Sequence, residues 1–325
     1  MADWSLTFLN VGQGDSTHIV LPDGSSVFID TGPDVKDSNP VVWWAKGYGH
    51  GHIKAVVITH NHLDHFGGLM SLAGDPSIRI DDVYLNEDQA FDDKERYKDF
   101  WELHDLLKDR ERRGVTRLHF AKAGSVIASD GHLELCVLHP ARIAHPCSQD
   151  PNVTSMVLAL KKVAEEAPIV VWGGDARLSD VLTVTKVKPA LMMGPHHGNP
   201  QDKDLSVYKT TFPPVCPGCI YSSLGGQYKT QPKRAYVMAA SSKGAKWCCS
   251  QLSAQCRLVR TAASASQHVY NGSAMIGVKI PAGVCECRGS MRVHVDQGGA
   301  VIYDPHQRRF LDRVKKRVTG RHCNK

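Results

Sequence analysis

The sequence predicts an α+β chain folded as a four-layer αββα sandwich, two sheets face to face with helices on their outer faces. Three observations carry that expectation. Short strand-like runs recur over the first 250 or so residues, some alternating and some wholly apolar. Turn signals such as Pro22-Asp23-Gly24 and Ser129-Asp130-Gly131 separate them. Segments of helical period fall between strand groups rather than at one end of the chain.

Taken in order, Trp4 to Leu9 and Thr17 to Leu21 alternate as two strands of a meander joined through Gly12-Gln13-Gly14-Asp15. Ser26 to Asp30 follows the Pro22-Asp23-Gly24 hairpin signal, and Val41 to Tyr48 reads as a helix. Ile53 to Ile58 is apolar enough for a buried strand, and Ile80 to Leu85 is another. Residues 87 to 113 are strongly charged with an apolar stripe of Phe91, Tyr97, Phe100, Leu103, Leu106 and Leu107, the pattern of an amphipathic helix, expected over the rim of the site. Ser125 to Val137 reads as two strands, Val153 to Leu160 and Ile169 to Trp172 as a further pair. A short helix over Ser179 to Lys186 leads to a strand from Ala190 to Met193. Ile220 to Leu224, a helix near 232 to 241 and a strand near Trp247 complete the pattern. No internal repeat is visible, and the chain divides into a main domain over 1–260, with a cysteine-containing insertion from about 214, and a C-terminal extension over 261–325.

The chemistry concentrates in Thr59-His60-Asn61-His62-Leu63-Asp64-His65-Phe66-Gly67-Gly68. Three histidines and an aspartate in six residues, at the end of a buried strand, wrap a turn around metal. Imidazoles and a carboxylate suit zinc, manganese or iron. Gly67-Gly68 lets the backbone turn tightly. A cluster of surface histidines would need neither the strand before nor the glycines after. Asp175 ends an apolar run behind Gly173-Gly174, and His196-His197 follows another strand; each is placed to complete a second metal site.

This motif resembles that of the metallo-β-lactamase superfamily. Phe8-Leu9-Asn10-Val11-Gly12-Gln13-Gly14-Asp15-Ser16, Ile29-Asp30-Thr31-Gly32, Asn152-Val153-Thr154-Ser155-Met156-Val157-Leu158, Val171-Trp172-Gly173-Gly174-Asp175 and Pro195-His196-His197-Gly198 are similar to the hydrolase domain of the DNA-uptake protein ComEC and its stand-alone relatives. The pieces occur in the family's order across roughly residues 5 to 260. The resemblance implies a dinuclear centre in which His60 and His62 hold one ion, Asp64, His65 and His197 (or His196) the other, and Asp175 is shared. If His197 is the ligand, His196 faces the substrate, where it contacts a phosphate or protonates a leaving group. Asp64 orients the nucleophile as well as binding metal. Asp30 would accept an N–H from a ligand histidine, or cap its own turn, and Asp15 and Ser16 would line the pocket. The histidine that most of the superfamily carries between the first motif and Asp175 is missing: Asn152 and Ser155 stand in that region, with His139 and His145 nearby as weaker alternatives. An open coordination position shifts the expected metal from tight zinc toward manganese.

The resemblance implies hydrolysis of phosphodiesters by a metal-bridging hydroxide. A nuclease is expected first and a small-molecule or phosphorylcholine esterase second. A reading from another class is an interaction module in which the metals are structural.

Composition is that of an ordinary globular chain, 42 % hydrophobic and 22 % charged, with a net charge of +6. The basic excess lies in a tail of Arg308, Arg309, Arg313, Lys315, Lys316, Arg317, Arg321 and Lys325, which can follow a phosphate backbone or stand as a solvated helix. With no signal-peptide pattern and no apolar stretch of ~20 residues, the expectation is a cytoplasmic protein without a membrane span, open to a protein partner or activator. Ten cysteines then read as thiols or metal ligands rather than disulfides, seven of them between Cys216 and Cys287. Cys216-Pro217-Gly218-Cys219 has zinc-knuckle spacing, and Cys249, Cys256, Cys285 and Cys287 are candidates to close one structural zinc, with Cys248, His306 and Cys323 in the same stretch. A redox pair, a regulated disulfide and ordinary free thiols are the other readings of these cysteines.

Overall fold

The computed structural model describes residues 3–35, 39–48, 51–86, 95, 97–140, 150–199, 217–222, 231–243, 245–250 and 290–303. The strands are β1 (Trp4–Phe8), β2 (Ser16–Val20), β3 (Ser26–Thr31), β4 (His52–Val57), β5 (Arg79–Asn86), β6 (Arg117–Ala121), β7 (Val126–Ser129), β8 (Leu133–His139), β9 (Val157–Lys162), β10 (Pro168–Trp172), β11 (Leu191–Met193), β12 (Cys219–Ser222), β13 (Lys246–Cys249), β14 (Met291–Val295) and β15 (Val301–Tyr303). The helices are α1 (Pro40–Tyr48), α2 (Leu63–Gly74), α3 (Lys98–Arg112), α4 (Leu178–Thr185), the single turn α5 (Pro195–Gly198) and α6 (Arg234–Ser242).

Two sheets form, in the order β15-β14-β1-β2-β3-β4-β5-β6 and β13-β12-β11-β10-β9-β8-β7. Alternation along the strands decides what each face covers. Leu6, Phe8, Val27, Ile29, Ala55 and Val57 of the first sheet meet Leu135, Leu158, Leu160, Val170 and Trp172 of the second in one core between the sheets. Phe28, Val56 and Val83 turn the other way, against Trp44 of α1, Leu69 and Leu72 of α2 and Leu103 of α3. Val157, Val171, Met192 and Ile220 turn outward against Leu178 and Val181 of α4 and Tyr236 and Ala240 of α6. The result is the four-layer αββα sandwich expected of the sequence, a metallo-β-lactamase fold.

Strand direction places the site. β3, β4, β5 and β6 run parallel, and so do β10, β11, β12 and β13. The carboxyl ends of β3 and β4 carry Asp30 and the histidine motif, those of β10 and β11 carry Asp175 and the His196-His197 pair, and open sheets bind ligands at such ends. Across the core the Trp172 indole N–H donates to Thr17 Oγ1 at 3.0 Å, and Phe8 packs 6.2 Å from the Trp172 ring and 5.4 Å from Tyr221.

The structure departs from the sequence reading at four places. β6 is an extra strand on the sheet edge, partly exposed, which weakens its apolar signal. The strand expected from Val153 begins at Val157, because Asp150 and Asn152 close two successive turns by accepting the N–H groups of Val153 and Ser155. α3 buries Phe100, Leu103 and Leu107 and packs on α2, with Phe66 and Phe100 5.3 Å apart, so its stripe covers the outer layer rather than the rim of the site. β14, drawn from the part of the sequence assigned to a C-terminal extension, pairs antiparallel with β1 from Trp4↔Val295 to Phe8↔Met291. Among the described residues no helix is long and apolar enough to cross a membrane.

His18 is a buried side chain with a fixed tautomer. The Trp44 indole donates to its Nδ1 at 2.9 Å, so Nε2–H faces the Ser26 hydroxyl. Burial, helped by Arg292, lowers its pKa from 6.5 to about 3. Below about pH 6.5 the unfolded chain takes up a proton that the folded chain refuses, so stability falls as pH drops toward 3. The loss amounts to about 2 kcal/mol at pH 5. Urea unfolding at pH 7 and pH 5 should show this loss in the wild type and not in His18→Gln, whose amide can replace both hydrogen bonds.

Candidate metal centre

The histidine motif sits between β4 and α2. The carbonyl of His62 accepts the N–H groups of His65 at 2.9 Å and Phe66 at 3.2 Å, which starts the helix and turns Asp64 and His65 back over the strand ends. Asp30, held at φ 53° where β3 ends, fastens this segment. Its carboxylate accepts the Thr59 N–H at 2.8 Å, the Thr59 hydroxyl at 2.9 Å and the Nδ1–H of His65 at 2.8 Å. His65 therefore presents Nε2 to the centre. Thr31 adds a second tie, its hydroxyl donating to the His65 carbonyl at 3.0 Å and accepting the Leu69 N–H at 2.9 Å. Gly67 and Gly68 lie inside α2 rather than in a turn. They are glycines because the helix crosses β3 closely: a Cβ on Gly68 would fall 2.2 Å from the Thr31 carbonyl oxygen.

The second sheet supplies the remaining groups. Asp175 follows β10, its N–H bound to Ser155 Oγ at 3.1 Å. Its carboxylate lies among four imidazoles, 3.7 Å from His60 Nε2, 3.2 Å from His65 Nε2, 3.6 Å from His196 Nε2 and 3.8 Å from His197 Nε2. His196 and His197 both occupy the left-handed region, at φ 49° and 54°. For residues other than glycine that conformation costs about 1–2 kcal/mol each. The turn holds because the His196 N–H donates to the Gly174 carbonyl at 2.9 Å and the Asn199 N–H to His196 at 2.8 Å. His197 is buried, with Nδ1 3.1 Å from Asp15 Oδ1 and Nε2 3.1 Å from Asp64 Oδ2. His196 is the more accessible of the two, its side chain 20 % exposed.

These side chains form two clusters joined through Asp175. Asp15, His65, Asp175 and His197 place one ligand atom each within 4.8 Å of one another, and His60, His62 and Asp175 do the same. Asp64 stands beside the first cluster, bound to His197. Electrostatics divide the imidazoles. Burial opposes charge on all of them, yet the carboxylates of Asp175 and Asp30 hold His65 well above the ordinary range, and Asp175 and Asp15 do the same for His197. Burial, reinforced by neighbouring His65, drives His60 well below it and lowers His62 too. Asp175 stays ionised despite burial because His65 and His197 face it.

The donor set fits divalent metal. His65 Nε2 and Asp175 Oδ1 are 3.2 Å apart yet misaligned for a hydrogen bond, and both are buried without such a partner, as is Asp15 Oδ2. Buried polar atoms of this kind cost about 1–3 kcal/mol each when unsatisfied. A cation between them recovers that energy, and nitrogen with carboxylate oxygen is the ligand chemistry of zinc and manganese.

Of the other expected residues, Ser155 positions Asp175. Asn152 is buried with Oδ1 unpartnered among the described residues, and so is the Ser16 hydroxyl. His139 ends β8 half-buried, outside both clusters, and His145 lies outside the described residues. Cys249 is buried in the apolar layer with Tyr236, Val237 and Ala240, and Cys219 begins β12. Cys216, Cys256, Cys285, Cys287, Cys323, His306 and the basic tail lie outside the described residues. Sequence reasoning missed Thr59 and Thr31. It also missed Asn61, buried with both amide atoms unpartnered among the described residues, although its place between two candidate ligands was a signal.

A two-sheet sandwich with histidine and aspartate clusters at its strand ends is the architecture of a metal-dependent hydrolase. The family model described as the metallo-beta-lactamase superfamily matches residues 9–139, the segment holding β2 to β8 and the His60–His65 motif. No curated protein is significantly similar to the chain. Several solved structures are similar. The metallo hydrolase Igni18 of the hyperthermophilic archaeon Ignicoccus hospitalis aligns at 18 % identity over 75 % of this chain and 94 % of its own, with a TM-score of 0.46. A diphosphatase of the PhnP family aligns at 15 % identity over 68 % and 87 %, with a TM-score of 0.39. A metallo-β-lactamase of Hirschia baltica aligns at 18 % identity over 53 % and 66 %, with a TM-score of 0.28.

Asp30→Asn keeps the shape of the side chain but removes the negative charge from His65 Nδ1. Groups that orient a ligand histidine are worth about 10–100-fold in metal affinity. Competition with a chelator should show a loss of that size and unfolding should occur at a lower temperature; unchanged affinity would remove Asp30 from the metal centre.

Proposed function

We propose that this chain is a phosphodiesterase, with nucleic acid as the expected substrate. The observation that carries the reading is the Asp175 carboxylate, which touches imidazoles of both clusters and so is placed to be shared between two cations. Support for the substrate class comes from the ComEC-like motifs and the basic tail.

When bound, two divalent cations acidify a water molecule and offset charge building on phosphate oxygens. His60, His62, His65, His197, Asp15, Asp64 and Asp175 are the residues that would hold them. The protein's own part is positioning. Asp30 and Ser155 fix His65 and Asp175 from behind, so the reacting groups need little reorganisation. Asp64, 30 % exposed at its side chain and bound to His197 through only one oxygen, keeps the other oxygen for water or for a cation. His196, its side chain 20 % exposed and Nε2 3.6 Å from Asp175, would act as the general acid on a leaving oxygen.

The test is hydrolysis of end-labelled single-stranded DNA and of bis(p-nitrophenyl) phosphate with added manganese, beside Asp175→Asn. Both substrates should be cleaved by the wild type, and the variant should lose at least about 10³-fold in rate. Cleavage of the small diester alone would move the assignment to small phosphodiesters. Inactivity on both with two metals bound would overturn the phosphodiesterase reading.

A further inference from the structure

The turn that carries His196 and His197 is tied at one end to Gly174 and at the other to a segment the metal clusters do not use. The Gly198 carbonyl accepts the N–H of Lys233 at 2.7 Å. The Lys233 carbonyl in turn accepts the N–H of Val237 at 3.1 Å, which opens α6. Two residues earlier, buried Gln231 accepts the Nε2–H of Gln13 through Oε1 at 3.1 Å. Gln13 precedes Gly14-Asp15, where the Asp15 N–H meets the Asp64 carbonyl at 3.2 Å. Lys233 is thus pinned through both backbone groups, on a segment fastened to the Asp15 loop as well as to the histidine turn.

Its side chain has no comparable tie. Lys233 is half-buried, and among the described residues its ammonium makes neither an ion pair nor a hydrogen bond. Lys46, Lys108 and Lys161, by contrast, each meet a carboxylate within 2.9 Å. Packing of the stem accounts for the burial and leaves the charge without a partner. A lysine ammonium is a compact charge with three donors on a flexible four-carbon stem, suited to follow a phosphate oxygen. Asp15, Asp64 and Asp175 gather at the same place, so an anion entering there gains from a fixed cation that is not already neutralised.

We propose that Lys233 seats the anionic oxygen of the substrate, its ammonium donating to a nonbridging phosphoryl oxygen at the Gly198 end of the turn. Lys233 then sets the affinity for an anionic phosphoryl group, while His196 acts on the leaving oxygen. The inference rests on the phosphodiester reading and adds to it a residue that recognises the charge of the group cleaved.

Hydrolysis of bis(p-nitrophenyl) phosphate by the manganese-loaded full chain tests it, beside Lys233→Gln, Lys233→Arg and Lys122→Gln. Lys122, exposed after β6 at the same end of the sandwich, controls for a general field. Lys233→Gln should raise KM about tenfold or more with kcat little changed, the size of one hydrogen bond to a charged group. Lys233→Arg should keep most of the affinity, and Lys122→Gln should match the wild type. A second readout needs no turnover: inorganic phosphate should slow acetylation of Lys233, followed by peptide mass spectrometry, and leave Lys122 reacting as before. An unchanged KM in Lys233→Gln, an equal rise in Lys122→Gln, or no protection by phosphate would each overturn the proposal. Circular dichroism checks that Lys233→Gln folds, and if it does not, the protection of Lys233 in the wild type still decides. Protection without hydrolysis would sink the proposed function alone; hydrolysis with KM unmoved in Lys233→Gln would sink only the role of Lys233.

Discussion

The Asp30 carboxylate makes the bonds on which the site depends. It reaches from the end of β3 to the backbone and hydroxyl of Thr59 after β4, and to His65 in the first turn of α2. Those contacts exist because β3 and β4 run parallel in the register Ile29↔Val57, which brings the two strand ends level. Shifting that pairing by one residue would send Val27 and Ile29 to the helix face and carry Asp30 away from His65. The packing of Val27, Ile29, Ala55 and Val57 in the core between the sheets therefore secures the chemistry as well as the fold.

Asp175 does for the second sheet what Asp30 does for the first, with the opposite electrostatics. Asp30 is buried against neutral donors and one imidazole, and burial raises its pKa despite His65. Asp175 is equally buried, yet His65 and His197 keep it ionised. A charge this deep is sustained only by partners or by metal. Without metal, protons on His65 and His197 play that part, and a divalent cation can take their place. The fold has thus assembled a pocket whose charge balance is set for cations.

How much of this the sequence discloses depends on distance along the chain. The His60–His65 motif is legible because its residues share one turn, and Asp175 and the His196-His197 pair are legible because each follows an apolar strand. The contact between Asp15 and His197 spans 182 positions, and no local pattern foretells it. Asp64 shows the converse: its spacing marks it as a ligand, while its position beside His197 follows from tertiary packing alone. The departures in the fold have similar causes. β14 carries no turn chemistry that points to β1, and β6 lies half in solvent at a sheet edge, where alternation fades.

The His196-His197 turn ties these features together. Two consecutive residues in the left-handed region are costly, and the sequence offers no glycine to relieve either. An ordinary helical turn after β11 would point successive side chains about 100° apart on one cylinder. The strained turn instead sends His197 inward between Asp15 and Asp64 and leaves His196 facing Asp175 from the accessible side, its ring centre 6.0 Å from that of His197. Adjacent residues can then serve one as ligand and the other at the substrate side. Strain held at such a point by the Gly174 carbonyl and by the packing of β11 between β10 and β12 is what a preorganised site requires, since a relaxed turn would place only one imidazole in the centre.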